Sequence, residues 1–235
     1  MTISASSIIR RATDVLMDST SVRWPASELV RWLNDAQREV ILLRADAMNR
    51  TATGALAVGA RQSLDAMALN PAPTKLIEIT RNLAATSNKN AVRLVARHIL
   101  DAQIPGWYSI APTINILHYM FDARDPKTFY VYPPAAAGAQ LEIMYSGIPN
   151  DIAEPADGST FANVVGNIGV PDIYANTLLD YVLYRAYSKD SEYAGNEARA
   201  ASHYAMFNSS LSNEIKVTLA VAPQMKPGMP TTAGV

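Results

Sequence analysis

The feature that most constrains this chain is the place where its apolar residues change period. Leu29, Trp32, Leu33, Ala36, Val40 and Leu43 recur at the three-and-four spacing of one helical face, just after Trp24–Pro25. Proline is tolerated in a first helical turn because its missing N–H has no intrahelical partner there. The other flank carries Arg31, Asp35, Arg38 and Glu39, so this helix buries one face only. Ahead of it, Ile8, Ala12, Val15 and Leu16 trace a first helical face that ends at a break over Asp18–Ser21. The helical period then disappears and returns after Pro171. There Leu178, Tyr181, Val182 and Arg185 share one face, and Ile173, Thr177, Tyr184 and Tyr187 another. A last helix is predicted over Ser191–Ile215. It has a stripe of small residues (Ala194, Ala198, Ala201, Ala205) beside a bulky one (Ala200, Tyr204, Phe207, Leu211). The small stripe suits close approach of another helix; a contact inside the chain is the expectation, and a contact between copies the alternative.

Between the helical regions, residues 51–147 are rich in turn formers and short β-branched or aromatic runs. Strands are predicted over Thr74–Thr80 and Ala91–Ala96, and a helical turn over His98–Gln103. Ile116–Phe121, Thr128–Tyr132 and Gln140–Tyr145 read as a three-stranded antiparallel meander. The expected fold is therefore α+β, mainly α with a small β insertion. Residues 1–50 and 171–216 form a helical bundle, 51–147 the insertion and 148–170 a loop. Residues 217–235, with Pro223, Pro227 and Pro230, form an extended C-terminal tail.

Composition removes several classes of function. With 235 residues and 49% of them apolar, the chain can bury a core. The lack of cysteine excludes disulfides, thiolate metal sites and cysteine nucleophiles. His98, His118 and His203 are not at metal-ligand spacing, and no metal or cofactor is expected. Twenty basic and 21 acidic side chains leave no basic excess for gripping phosphates. No apolar run reaches the length of a membrane span, and the N-terminal residues do not read as a secretory signal, so a soluble chain is expected. The charge is uneven, however. Residues 51–147 hold eight basic and six acidic side chains, whereas 148–220 hold four and nine. Such an acidic segment suits either a solvated face, association with a basic neighbour, or the wall of a channel through which DNA slides.

No catalytic constellation emerges. Asp151, Glu154 and Asp157 cluster in the loop, but at no calcium-loop spacing; paired carboxylates there leave a cell-wall hydrolase as the enzymatic alternative. Gly54–Gly59 and Gly166–Gly169 lack the lysine of a phosphate loop. His118, within an apolar run, reads as structural. Arg31 and Arg38 are interleaved with Asp35 and Glu39, which argues against a DNA-recognition helix.

The segment Arg23-Trp-Pro-Ala-Ser-Glu-Leu-Val-Arg-Trp-Leu-Asn-Asp-Ala-Gln-Arg-Glu-Val resembles the N-terminal helical signature of tailed-bacteriophage head-to-tail adaptor (connector) proteins of short-tailed phages. Lys127–Ala135 and Leu141–Pro149 look like that family's paired β segments, and Pro171–Tyr187 is similar to its downstream helix. The resemblance implies a structural, non-enzymatic virion part in the neck, assembled in the bacterial host cytoplasm. It implies a homo-oligomeric ring, twelve copies in the family's usual form, between the portal protein and tail or nozzle proteins. The genome passes through the lumen without sequence-specific contacts. It also implies a C-terminal extension that reaches the portal. Within the tail, Leu219, Val221, Met225 and Met229 are the residues expected to dock, the thioethers adapting to an irregular pocket. Another neck or tail-completion protein is the remaining alternative.

Overall fold

The computed structural model describes residues 3–221 of the chain, with side chains up to residue 213. Helix α1 (Ala5–Leu16) starts at Ser4, whose hydroxyl accepts the Ser7 N–H. Its buried face is Ala5, Ile8, Ile9, Ala12, Thr13 and Leu16. Val15, expected on that face, is 49% exposed, because the face is centred on Ile8–Ile9 rather than between Ala12 and Val15. The Asp18 carboxylate then accepts the N–H groups of Val22, Arg23 and Trp24 at 2.9–3.1 Å. Those bonds replace the ones the chain loses on leaving the helix, and they set the start of α2 (Ala26–Leu43). Pro25 sits at the cap of α2 with an extended ψ of 140°, one residue before the helical turn proper. The expected stripe of α2 is buried except at its end, where Leu43 is 47% exposed.

Helix α4 (Ala175–Lys189) follows a short 3-10 turn over Asp172–Tyr174, and Ile173 in that turn is exposed rather than packed. Helix α5 (Asn196–Val221) comes after a turn with Gly195 at φ +89°, so it begins five residues later than predicted. It also ends six residues later, at Val221. The assignment of residues 217–221 to an extended tail is thus corrected: Val217–Val221 contains no breaker, and Pro223 biases only the residue before it away from helix. The rest of the expected tail, 222–235, lies outside the described residues.

Residues from α1, α2, α4 and α5 share one hydrophobic cluster that includes Ile8, Leu29, Leu33, Val182, Phe207 and Leu211. Two hydrogen bonds seal its ends: Trp24 Nε1 donates to the Ala186 carbonyl, and the Ile3 N–H donates to Asp172. Arg23 donates to Asp190 and lies over the Tyr193 ring at 4.4 Å, joining the α1–α2 and α4–α5 turns.

The β region holds seven strands in two sheets. One sheet has the order β1 (Asn49–Ala55), β7 (Gln140–Gly147), β3 (Pro73–Asn82); the other runs β2 (Gly59–Ser63), β6 (Thr128–Ala135), β5 (His118–Phe121), β4 (Arg93–Leu94). The predicted three-stranded meander is corrected. β5 and β6 pair antiparallel, but β7 leaves them and lies between β1 and β3. A strand has only two edges, and those of β6 are already taken by β5 and β2, so the short turn around Gly138 carries the chain into the facing sheet. Strands β1 and β2 were not expected: Asn-Arg-Thr-Ala-Thr-Gly-Ala holds no large apolar residue, and β1 exists because β7 offers it an edge. Leu76, Ile79, Leu141, Ile143 and Tyr145 from one sheet and Tyr119, Phe129 and Val131 from the other form a single core. On the outer side of the second sheet, α3 (Arg97–Gln103) and Trp107 pack over Met120, Tyr130 and Tyr132.

Buried Asn82 organises this region. Its side-chain amide donates to the Ile116 carbonyl at 2.8 Å and accepts the Ile116 N–H at 2.8 Å, so it replaces a missing strand neighbour. Between α2 and β1, buried Arg44 makes a two-point contact with Asp46, Nε to Oδ1 at 2.9 Å and Nη2 to Oδ2 at 2.7 Å.

Two outcomes follow from this packing. Replacing Trp32, which is 7% exposed within the helical cluster, by alanine should destabilise the fold by about 3 kcal/mol in a denaturant titration. The Arg44 guanidinium holds the Asp46 carboxyl below the usual carboxylate range. A carboxylate whose folded pKa is depressed adds stability above its unfolded pKa, and that stability is lost as pH falls through the folded value. Asp46→Asn should therefore lower Tm at pH 7, and the gap from the unmodified chain should close as the pH falls below about 4.

Candidate partner-binding surfaces

The acidic loop 148–170 is strapped to α2 by side chains that the apolar pattern passes over. Asn34 donates through Nδ2 to the Ile152 carbonyl at 3.0 Å and accepts the Ile152 N–H at 3.0 Å. Gln37, one helical turn later, accepts the Gly169 N–H at 2.6 Å. Gly169 is required there: a Cβ would lie 2.4 Å from the Pro149 side chain and 3.2 Å from its Cα. The signal was present in the sequence as two amides three residues apart on the margin of an apolar stripe, a spacing that puts both on one helical face.

The three loop carboxylates are not gathered into a reaction centre. Asp151 accepts from Arg38 at 2.6 Å, and Glu154 lies 3.4 Å from the Arg31 guanidinium. Each is paired with the helix that the loop covers. Asp157 takes part in none of the ion pairs among the described residues. No group of three potential ligands able to hold a metal ion occurs among the described residues.

Other carboxylates of residues 148–220 are also engaged within the chain. Asp190 is bound by Arg23, Asp180 by His203 at 3.0 Å, and Asp172 by a backbone N–H. Asp151, Glu154 and Asp190 are thus paired with arginines of the first helical region, and Asp157, Glu192 and Glu197 lie outside these contacts. His118 stacks on Tyr132, and burial together with Arg93 pushes its pKa down, which holds it neutral. His203 stacks on Tyr187 and supports the α4–α5 contact.

Three surfaces present apolar area. The expected internal packing of the alanine stripe is corrected: Ala198, Ala201 and Ala205 are exposed, and Ala194 is exposed in the turn before the helix. Phe207 and Leu211 occupy the side facing α4, because larger side chains bury more area there, and Ala200 lies on the same face; Tyr204 of the expected bulky stripe is 41% exposed. A groove of about 380 Å³ between α2 and the β region is lined by Ile41, Leu42, Pro126 and Ile148, with Arg38 and Lys75 on its rim. At the helical tips, Met17 is 93% exposed at φ +55°, close in sequence to exposed Val22. A more polar cavity of about 470 Å³ lies beside Arg61, Arg97, His98 and Tyr130. The Arg97 guanidinium lies over Tyr130 at 5.1 Å.

Of the residues expected to dock, Met225 and Met229 lie outside the described residues. Leu219 and Val221 lie on the backbone of α5, with side chains outside the description. No helix among the described residues is long and apolar enough to cross a membrane.

The strap can be tested against its surface ion pairs. Asn34→Ala leaves two buried backbone groups of Ile152 unpaired and should cost about 2 kcal/mol. Arg38→Ala removes only the exposed pairs with Asp35 and Asp151 and should cost less than about 1 kcal/mol. Equal losses in chemical denaturation would overturn this ranking.

Comparison with known proteins gives one family: its model, described as SU10 adaptor protein, matches residues 3–228. No curated protein matches the chain.

Proposed function

The chain belongs to the SU10 adaptor protein family and is a phage structural adaptor; from that premise we propose that copies of it close into a ring joining the portal to the tail. The observation that carries this reading is the extent of the match. It covers both helical regions, the β region and the loop between them, so the whole described chain is the family's unit rather than a shared motif. The finer reading is a ring of twelve copies in the virion neck, assembled in the host cytoplasm. Portal protein lies on one side and tail or nozzle proteins on the other, and the genome slides through the lumen without base-specific contacts.

Two features support a role based on contact rather than on catalysis. Asp151 and Glu154, the carboxylates of the hydrolase alternative, are held by Arg38 and Arg31. The apolar surfaces on α5, at the helical tips and beside α2 are spread over the molecule, as expected of a part with several neighbours. In this reading the helical bundle of both chain ends is the rigid body. α5 and the following residues, with Leu219, Val221, Met225 and Met229, form the arm that docks on the portal. Fourteen residues beyond Val221, fully extended, would reach about 46 Å at roughly 3.3 Å each, enough to bridge to an adjacent ring.

Mixing the purified chain with its portal and imaging by negative stain should give a ring stacked on the portal. Deleting residues 222–235 should leave Tm unchanged and weaken portal attachment. A chain that binds no portal, or a truncated one that binds with undiminished affinity, would overturn the adaptor ring or the docking arm respectively. A chain that binds only tail components would mark a tail-completion protein instead.

A further inference from the structure

Each of the two sheets has two edges, and three of the four are blunted. β3 is irregular, with three register shifts against β7, and its outer groups are covered: Leu76 N–H donates to the Pro126 carbonyl, Asn82 N–H to the Asn90 carbonyl, and the Thr80 carbonyl accepts from Val92. β2 is bulged between Gly59 and Arg61, and the Gln62 side chain folds back onto Ala57 and Gly59. β4 is two residues long. β1 is covered only at its first residue, Asn49, whose two backbone groups bond Asp46 and Arg50. It runs seven residues in unbroken register with β7, contains no proline, and carries Arg50 as its one charge. Regular open edges template pairing with a further strand, and soluble proteins usually block them.

The register says which groups are open. The Leu56 N–H donates to the Ala139 carbonyl, which continues the β1–β7 ladder by one pair. Residues of an antiparallel strand point both backbone groups alternately to one side and the other. Arg50, Ala52 and Gly54 therefore bond β7, while Asn49, Thr51, Thr53 and Ala55 direct their N–H and C=O groups outward. Asn49 is already engaged, its N–H by the Asp46 carbonyl and its carbonyl by the Arg50 guanidinium at 3.1 Å; among the described residues no other backbone group pairs with the outward groups of Thr51, Thr53 and Ala55. Only an extended polypeptide matches such a row.

The strand is its own complement. Turned about a two-fold axis through Ala52, it sets Thr51 opposite Thr53 of a second copy and Asn49 opposite Ala55. The two Thr51–Thr53 pairs are hydrogen-bonded, whereas Asn49, bonded within its own chain, leaves Ala55 at each end of the seam without such a pair. Ala52 meets Ala52 in a non-hydrogen-bonded pair, and Arg50 faces Gly54 rather than another arginine. No like charges oppose one another, and the threonine pairs add favourable cross-strand contacts on the exposed face.

We propose that the outer edge of β1 is the seam of a two-fold dimer of the free protein, joining two three-stranded sheets into one of six strands. This goes beyond the adaptor reading and does not rest on it: a two-fold contact is isologous and cannot close a head-to-tail ring, so the seam belongs to the chain before it assembles. The test uses the free protein without portal, so its failure is distinct from failure of the ring.

Sedimentation of the unmodified chain should show a monomer–dimer equilibrium. Thr51→Pro removes one outward N–H and spares the bonds to β7; it should weaken association about tenfold or more with little change in Tm. Thr51→Val keeps the N–H and should keep the dimer. Because the chain has no cysteine, Ala52→Cys gives a single thiol at the axis. The pair there is close enough for a disulfide, so mild oxidation should yield a reducible covalent dimer. A chain monomeric up to its solubility limit, a Thr51→Pro dimer as strong as the original, or an Ala52→Cys protein that does not cross-link overturns the seam.

Discussion

Everything in this molecule depends on one apolar surface that neither end of the chain can cover alone. α1 and α2 present one-sided faces, and α4 and α5 supply the other half of the same cluster more than a hundred residues later. Burial of Leu29, Leu33, Val182 and Phe207 is favourable only once both halves meet, so the intervening residues must return the chain to its starting point. The β region satisfies that requirement because β1 leaves α2 and β7 pairs with β1, which brings Ser146 back beside Asn49. The loop 148–170 then closes the circuit over α2.

Polar side chains give these contacts their uniqueness. Hydrophobic burial is non-directional, whereas Asn34, Gln37 and Asn82 each bond defined backbone groups of a distant segment. Slippage of the loop by one residue would leave the Ile152 N–H and carbonyl buried without partners. Asp18 does the same work locally at the α1–α2 turn. Charge acts in a complementary way: arginines of the first helices meet the carboxylates of the loop and of the α4–α5 turn. Three carboxylates of the acidic segment are paired in this way, while Asp157, Glu192 and Glu197 stay exposed outside these contacts.

The apolar and open surfaces that this packing leaves lie on different elements of the periphery. The exposed alanine face of α5, the apolar groove beside Leu42 and the open edge of β1 belong to different elements, so each can serve a different neighbour.

The helical regions were legible because a 3.6-residue period is written locally. The stripes of α2 and α4 need no knowledge of their partner, and proline marks both starts. The family likeness rested on those same segments. Pairing in the β region was not legible. The Gly138 turn is compatible with a hairpin, and only the occupation of both β6 edges sends β7 into the other sheet. β1 has no apolar signature, since its strand character is conferred by β7. The alanine stripe was equally ambiguous: its spacing defines a face, but whether that face turns inward depends on the larger side chains competing for α4. Neighbours along the chain thus specify where helices form, the apolar stripe of α2 and the α+β class. Tertiary structure alone decided strand partners, the fate of the acidic loop and the surfaces left open, because each depends on which distant segment satisfies a hydrogen bond or covers an apolar face first.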